Sequence, residues 1–519
     1  MTSGLQAFYG SLLIETQIFR FSRGAQVQRH KVARAIPWAA LDSVGSAAIS
    51  IISLVVLSRL LSPTEFGLIA YAQSAVLLIQ AVCGAGLGEA LVQKRPIQVL
   101  HYDSAFWGSL LLGFTGFTSC VIAGTYLELL GREHSLGLIL GIEGTACLFA
   151  GLNLVPMAML ERKLRSRTIA KRVLLSKITY VLSAVGLALW GAGVWSVVAA
   201  GVLQNLVATV VLWSTTSRWP RRKMSWAHLR DLLRFGLPVM LEGTLWAAMS
   251  RVFLILVGVI HGVETLGFVS LATRATEMIG NILGILVARL GLPTFSALRD
   301  NPERMKSAFL QASEGMSLLA SAAFLGLFAT APDWVPLLHG EQWIGAIPLI
   351  QVLCLSGVFT YATAFTGAFL RAAGHPYVMV PLTALAGFVT LTAVGLTKGL
   401  DAIAITYAWG SRIVVIAPLS LYLMQRFGRI SVGRQLRAIL VPILLSAIML
   451  TSVMIYRNTS LEPQQHIPSL LASAAVGVIS LLMMALFVYR MQLINLLSSM
   501  RCRALFPTPC GPIKPGPGQ

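Results

Sequence analysis

Fourteen apolar segments, each long enough to cross a membrane as a helix, make up most of this 519-residue chain. A spanning helix needs about 20 predominantly apolar residues, and it satisfies its own backbone polar groups within lipid. The sequence therefore predicts an all-α polytopic membrane protein. The predicted spans are 38–60, 66–90, 103–127, 135–160, 173–190, 193–214, 236–260, 264–290, 307–330, 344–370, 377–397, 402–424, 437–456 and 468–489.

Basic residues are distributed unevenly between the two sides of these spans. With a cytoplasmic N-terminus, 31 of the 40 Lys and Arg residues fall in cytoplasmic segments, and three fall in loops on the other side. Because positive residues collect on the cytoplasmic side of membrane proteins, we expect an even number of spans and two cytoplasmic termini. Tryptophans at the ends of spans are predicted to anchor in the headgroup region: Trp38, Trp190, Trp195, Trp334 and Trp343.

Composition excludes a soluble protein and a nucleic-acid-binding protein. Hydrophobic residues make up 56% of the chain and charged residues 12%, whereas soluble proteins carry about 25% charged residues. The net charge of +20 could suggest nucleic acid, but nucleic-acid binding needs basic residues gathered on a solvated face. Here the basic residues are divided among loops between apolar segments, so we expect no nucleic-acid partner.

One helical hairpin occurs twice in the chain. A shift of 200 residues places Gly67 and Ala72 of the first copy on Gly267 and Ala272 of the second. Six spans separate the copies, and because that number is even, both copies have the same orientation in the membrane. The sequence thus predicts two six-helix lobes related by a parallel repeat, plus two C-terminal helices; sites in such transporters lie where repeats face each other.

The repeat divides the chain into predicted parts. The linker between the lobes interleaves basic and apolar residues from Trp219 to Phe235, which is typical of a helix lying on an anionic membrane surface. The last residues have too little apolar surface to pack and are predicted to be disordered. The parts are a cytoplasmic segment at 1–36, a lobe at 37–215, the cytoplasmic linker at 216–235, a lobe at 236–425, two additional helices at 436–490 and a cytoplasmic tail at 491–519.

A carboxylate recurs near the start of the same helix in both lobes. Asp42 and Glu242 are related by the 200-residue shift, and neither has a basic neighbour at helical spacing. In span one, Asp42, Ser46 and Ser53 share one face as a polar stripe. Intramembrane charge is costly and is the default sign of function. We therefore predict Asp42 and Glu242 as sites for a coupling ion, H⁺ or Na⁺, at the inner mouth.

Basic residues within spans seven and eight are the other intramembrane candidates. Arg274 and Asn281 share a helical face in span eight, and Glu277 follows Arg274 at i+3, where an internal ion pair can form. Arg251 and Arg289 add two further cations. An ion pair that merely lets a polar helix insert is the alternative interpretation of Arg274 and Glu277.

Enzymatic motifs are missing from the sequence. It contains no GxSxG, HExxH, P-loop or Asp-x-Asp pattern and no Cys/His ligand spacing. We therefore expect no catalytic residue, no metal site and no cofactor beyond the coupling ion. The run Gly84-Ala85-Gly86-Leu87-Gly88 inside an apolar segment indicates close helix packing rather than phosphate binding.

Five segments resemble a known family. LSRLLSPTEFGLIA, GLGEALVQKR, VPMAMLERKLRSRTIAKR, LGLPTFSALRDNPERMKSAFL and LHGEQWIGAIPLIQVL are similar to segments of the Wzx-type polysaccharide flippases. These belong to the multidrug/oligosaccharidyl-lipid/polysaccharide exporter superfamily, and the likeness runs from Trp38 to Gln425. It implies two six-helix lobes around a central cavity in a protein of the bacterial inner membrane.

The resemblance also implies a function. Such a protein carries undecaprenyl-diphosphate-linked oligosaccharide from the inner to the outer leaflet for exopolysaccharide, capsule or O-antigen synthesis. A diphosphate cannot cross hydrocarbon unaided, whereas a cationic cavity neutralises it. We expect Arg274, Arg251, Arg289 and Asn281 to line that cavity. The expected partners are the lipid-linked oligosaccharide, membrane lipids and the polysaccharide polymerase and export machinery.

Two other functions are open at this point. One is a drug or metabolite exporter of the same fold, whose cavity would be apolar with an acidic residue for organic cations. The other is a membrane glycan polymerase or ligase, which a long structured outer loop would indicate; the predicted outer loops are short.

Overall fold

The computed structural model describes residues 38, 44–84, 86–130, 134–163, 165–216, 219–459, 468–469 and 472–483. Regular structure in these ranges is helical, and they contain no strand. The helices are α1 Val44–Leu60, α2 Pro63–Cys83, α3 Leu87–Gln93, α4 Val99–Leu129, α5 His134–Glu143, α6 Thr145–Arg162, α7 Ser166–Leu189, α8 Val194–Ser214, α9 Trp226–His261, α10 Val263–Ala297, α11 Pro302–His339, α12 Ile347–Ala362, α13 Phe365–Ala372, α14 Met379–Gly395, α15 Ala402–Gly428, α16 Val432–Thr459 and α17 Ala472–Met483. Two 3₁₀ helices cover Glu341–Ala346 and Pro376–Val378.

The helices account for all fourteen predicted spans. Within the described residues, ten helical segments are long and apolar enough to cross a membrane. Four shorter apolar helices accompany them: α1, the second part of α9 at Ala247–His261, α14 and α17. Each of the fourteen falls on one predicted span, so the all-α polytopic fold is confirmed.

The predicted C-terminal limit of the second span, 66–90, is wrong. Helix α2 stops at Cys83, and α3 is a separate short helix. Gly86 between them has φ 64°, a left-handed conformation that favours glycine, and a Cβ there would collide with the backbone of Gly236 in α9. The close packing predicted for this glycine run is therefore confirmed at Gly86, and it is what interrupts the span.

The linker also differs from its prediction. A helix was expected from Trp219, but Trp219–Ser225 is not helical and α9 begins at Trp226. The cause lies in α4, whose Asp103 Oδ1 accepts from the Arg221 N–H at 3.2 Å and whose Ser104 Oγ accepts from the Ser225 N–H at 2.9 Å. These bonds hold the segment extended along α4. From Trp226, α9 then continues without a break through the seventh span.

The first turns of α9 are packed inside protein rather than against lipid. Leu229 is 5% exposed and Leu232 fully buried, and both join a core that also contains Leu87, Leu91 and Phe106. The core therefore connects the start of α9 with α3, α4 and α6. Leu229 and Leu232 are therefore unavailable to the membrane surface, whereas Trp226 in the first turn is 67% exposed. The contact of the linker with the membrane stays a prediction.

The described residues form two compact units. The first comprises the described parts of Met1–Met278, Val335–Leu353 and His375–Pro418. The second comprises those of Ile279–Trp334, Cys354–Gly374 and Leu419–Gln519.

The two copies of the repeated hairpin meet within the first unit. A Cβ at Gly67 would collide with the carbonyl oxygen of Val263, and a Cβ at Gly267 would collide with that of Pro63. The 200-residue shift exchanges these two contacts, as a two-fold relation between the copies requires. We call this pair of contacts the glycine crossing. Ala72 and Ala272, the other matched pair, are both fully buried.

Candidate functional site

Two basic side chains lie at the same depth in their helices within the first unit. Lys177 in α7 and Arg274 in α10 each stand 11 residues after the first residue of the helix. At 1.5 Å per residue that is about 16 Å along the axis, roughly half of the ~30 Å hydrocarbon core. Both side chains are partly buried. The sequence has thus placed two cations near mid-membrane, where charge is tolerated mainly for function.

Arg274 is held by the first repeat. One guanidinium N–H donates to Gln73 Oε1 in α2 at 3.0 Å, and Cζ lies 5.0 Å from the centre of the Phe66 ring. An arginine over an aromatic face is attracted by the ring electrons. Neither contact neutralises the charge, because the amide and the ring are both neutral.

Lys177 is held by the polar stripe of span one. Its Nζ donates to Ser46 Oγ at 2.8 Å and to Ser50 Oγ at 2.9 Å. Ser46 was predicted to lie on this stripe, and Ser53 is buried as well. The structure therefore shows which group the stripe faces: an amine on α7.

Tyr180 and Glu143 are two further polar side chains in the first unit. Tyr180 lies one turn after Lys177 in α7, and its hydroxyl is within electrostatic range of both Arg274 and Glu143. Glu143 is partly buried, and its Oε1 has no hydrogen-bond partner in the described part of the chain. Arg251 of α9 is within electrostatic range of Arg274. We call Gln73, Glu143, Lys177, Tyr180, Arg251 and Arg274 the interior polar cluster.

The charge of this cluster suits an anion. It contains three cations and the Glu143 carboxylate, which is within electrostatic range of Tyr180, and the Glu277 carboxylate is within electrostatic range of Arg274. Arginine donates several N–H groups in a fixed planar array that matches phosphate oxygens. No group of three or more His, Cys, Asp or Glu side chains able to hold a metal ion occurs among the described residues.

The predicted ion pair between Arg274 and Glu277 is not formed. Helical spacing permits it, but the guanidinium turns towards Gln73 and Phe66, while Glu277 is exposed and acts on it only over a longer distance. Arg274 therefore contacts the Gln73 amide and the Phe66 ring of α2 instead of the Glu277 carboxylate.

The remaining predicted residues are dispersed. Asn281 and Arg289 lie further along α10, in the second unit, with exposed side chains. Asp42 lies outside the described residues. Glu242 falls within α9, and its side chain lies outside the described part of the chain.

Sequence reasoning missed Lys177, Gln73 and Tyr180. Lys177 was not singled out, although its i+3 spacing to Tyr180 could have marked a polar face of α7. Gln73 carries no charge and gave no signal, since its partner is 201 residues away.

The turn between α1 and α2 is hydrogen-bonded to the C-terminal end of α11 and to the 3₁₀ helix that follows it. Arg59 donates to the carbonyls of Leu337 and Leu338, and Ser58 is hydrogen-bonded to His339. Trp343, predicted as a membrane anchor, is instead fully buried and donates from Nε1 to the Ser58 carbonyl at 2.7 Å. Trp190, another predicted anchor, is 88% exposed as an anchor should be.

The sequence matches a family model described as "Polysaccharide biosynthesis protein" over residues 56–348. The chain belongs to this family. The match begins in α1 and extends into α12, so it covers the glycine crossing and all six residues of the interior polar cluster.

Relatives in this polysaccharide biosynthesis family are transport and biosynthesis proteins. The chain is 26% identical over 355 residues to the succinoglycan biosynthesis transport protein ExoT of Rhizobium meliloti, covering 68% of this chain and 72% of that protein. It is 22% identical over 413 residues to the lipopolysaccharide biosynthesis protein WzxC of Escherichia coli, covering 75% and 82%.

Solved structures show the same fold. The lipid II flippase MurJ in an inward closed conformation matches with a TM-score of 0.69 at 12% identity, over 88% of this chain and all of MurJ. An inward-facing multidrug resistance MATE family transporter matches with a TM-score of 0.56 at 17% identity, over 82% of this chain and all of that one. The fold is shared with membrane transporters, and a relative in the family is named a transport protein, which agrees with the expectation that the protein is not an enzyme.

Proposed function

We propose that this protein is a flippase that moves undecaprenyl-diphosphate-linked oligosaccharide from the inner to the outer leaflet of the bacterial inner membrane. One observation carries the proposal. Arg274 is a guanidinium near mid-membrane whose hydrogen-bond partner is a neutral amide rather than a carboxylate. Its charge is therefore available to an anionic group. The family, and relatives named for succinoglycan and lipopolysaccharide synthesis, support a glycan-linked substrate.

Charge explains how such a cluster would assist transport. Moving a diphosphate into hydrocarbon is prohibitive unless cations compensate it. Arg274, Lys177 and Arg251 supply that compensation, while the polyprenyl tail stays in lipid. Gln73 and Phe66 keep Arg274 oriented before substrate arrives, which reduces the entropy lost on binding.

Direction and coupling complete the proposal. If both termini are cytoplasmic, the glycine crossing lies on the outer side, and we propose that it closes that side while substrate loads from the cytoplasm. Asp42 and Glu242 are the proposed sites for H⁺ or Na⁺. Asn281 and Arg289 stay proposed substrate contacts within the second unit.

The test compares Arg274→Ala, Arg274→Lys and Gln73→Ala at equal membrane abundance in a strain lacking the chromosomal gene. Losing a hydrogen bond to a charged group costs about 1.5–3 kcal/mol, so export should fall roughly 10- to 150-fold in Arg274→Ala. Lipid-linked oligosaccharide should then accumulate in the inner leaflet. Arg274→Lys should keep part of the activity, and Gln73→Ala should lose less than Arg274→Ala because the charge stays. Wild-type export by Arg274→Ala would exclude the assigned role.

A drug exporter is the second candidate, and its support is the fold shared with the MATE transporter. Cations outnumber carboxylates in the interior polar cluster, which disfavours organic cations as substrates. Cation extrusion by the purified protein, without any effect of its loss on surface polysaccharide, would reverse this preference.

A further inference from the structure

An apolar groove runs along one face of α4, away from the interior polar cluster. Trp107, Leu110, Leu111 and Phe114 line it, at the i, i+3, i+4 and i+7 positions of a single helical face. Leu111 and Phe114 are 59% and 55% exposed. The cavity has a volume of about 680 Å³, within the ~300–1,000 Å³ of small-ligand sites.

The segment before α9 forms the other wall and supplies the groove's basic side chain. Arg222 and Met224 line the groove from this side, and Leu148 of α6 contributes to it. The Trp107 indole N–H donates to the Arg221 carbonyl at 2.9 Å, next to the two bonds that Asp103 and Ser104 accept from this segment. Arg222 is therefore held beside the groove by a fixed backbone rather than by a mobile loop.

The chemistry of the groove is that of an amphiphile with an anionic head. Arg222 is exposed, and it forms no hydrogen bond or ion pair with any side chain that the structure describes. Arg221 and Lys223 on either side are exposed as well. Basic residues immediately cytoplasmic of a spanning helix attract anionic lipid headgroups. The apolar groove beside these basic residues has room for the acyl chain of such a lipid.

We propose that this groove binds one anionic phospholipid of the inner leaflet, with an acyl chain along Trp107 to Phe114 and its phosphate at Arg222. Charge complementarity selects this occupant, because an anionic lipid brings its phosphate without a compensating cation, whereas a zwitterionic lipid such as phosphatidylcholine carries a choline cation beside the phosphate. The sequence predicts membrane contact along the whole linker, and the proposal assigns lipid binding to one site in it, at Arg222. It does not depend on which substrate the protein transports.

Native mass spectrometry of the purified full chain in detergent micelles tests the proposal. Dioleoyl phosphatidylglycerol is titrated, with phosphatidylcholine of the same chains as the neutral probe. One basic side chain near an anionic surface contributes about 1 kcal/mol, so Arg222→Gln should weaken phosphatidylglycerol binding about five-fold. Lys223→Gln is the matched control, because Lys223 does not line the groove, and it should change binding less than two-fold. Leu111→Trp should weaken phosphatidylglycerol binding, because the larger side chain fills the groove while all charges are retained.

Three results would overturn the site. Equal losses in Arg222→Gln and Lys223→Gln would show diffuse attraction to a basic segment. Equal binding of phosphatidylcholine and phosphatidylglycerol to the wild type would show an ordinary lipid-facing surface. Displacement of phosphatidylglycerol by undecaprenyl phosphate at a ten-fold lower mole fraction would assign the groove to a polyprenyl chain instead.

Discussion

Adding a methyl group at the glycine crossing should open the outer side of the transporter. In Gly67→Ala the new Cβ would collide with the Val263 carbonyl oxygen, and in Gly267→Ala it would collide with the Pro63 carbonyl oxygen. Backbone atoms cannot rotate away as a side chain can, so the two helix starts must separate. Overpacking of this kind costs about 1–3 kcal/mol.

This free-energy cost lowers the fraction of molecules in which the glycine crossing is closed. If the crossing forms only in the outward-closed state, about 1–3 kcal/mol changes the equilibrium about 5- to 150-fold. A crossing closed in about 99% of molecules would then be closed in roughly 95% to 40% of them. Both substitutions should act alike, because the repeat makes the two contacts equivalent.

Cross-linking of Ser58→Cys to His339→Cys measures this population, since the two native side chains are hydrogen-bonded. The pair is placed on a background without the six natural cysteines, and the initial rate of cross-linking is followed. Gly186→Ala in α7 is the matched control, because a Cβ there meets no atom within 4 Å. Unchanged rates in both Gly67→Ala and Gly267→Ala would refute the reasoning, and a loss in only one would refute the equivalence of the two contacts.

Three further predictions concern topology, coupling and the second cation. An impermeant thiol reagent should label Lys398→Cys but not Arg222→Cys in intact cells; the reverse pattern would invert the topology. Asp42→Asn and Glu242→Gln should keep normal membrane abundance yet abolish transport driven by an ion gradient, and wild-type glycan export by both would make these residues structural. Lys177→Met should reduce glycan export more than Lys177→Arg, because Met removes the positive charge that the Ser46 and Ser50 hydroxyls hold in place, whereas Arg keeps it. Equal export by the two variants would show that the charge is not needed.

His339 illustrates why the labelling site had to be chosen from the structure. The predicted outer loop contains it, but its side chain is 2% exposed, so a reagent would not reach it even on the correct side. Lys398 is exposed and lies in another predicted outer loop. Sequence patterns indicate the side of the membrane, whereas access to a reagent depends on neighbours distant along the chain.

The interior polar cluster could be predicted only in part. Arg274 and Arg251 stood out because charge within an apolar segment is visible in the sequence. The partner of Arg274 was not visible: Glu277 at i+3 and Gln73 across the repeat are both possible, and only packing selects between them. A local pattern cannot distinguish an available cation from a neutralised one, and the proposed function depends on that distinction.

The sequence by itself determined the number of spans and the pairing of the repeats. Span length and apolarity are local properties, because each helix must satisfy its own backbone in lipid, and equal spacing relates Gly67 to Gly267 before any contact is known. Tertiary structure decided what each apolar face touches. The pattern around Leu229 and Leu232 fits a membrane surface and a protein core equally well, since both remove apolar area from water, and only the approach of α3, α4 and α6 assigns those two side chains to the core.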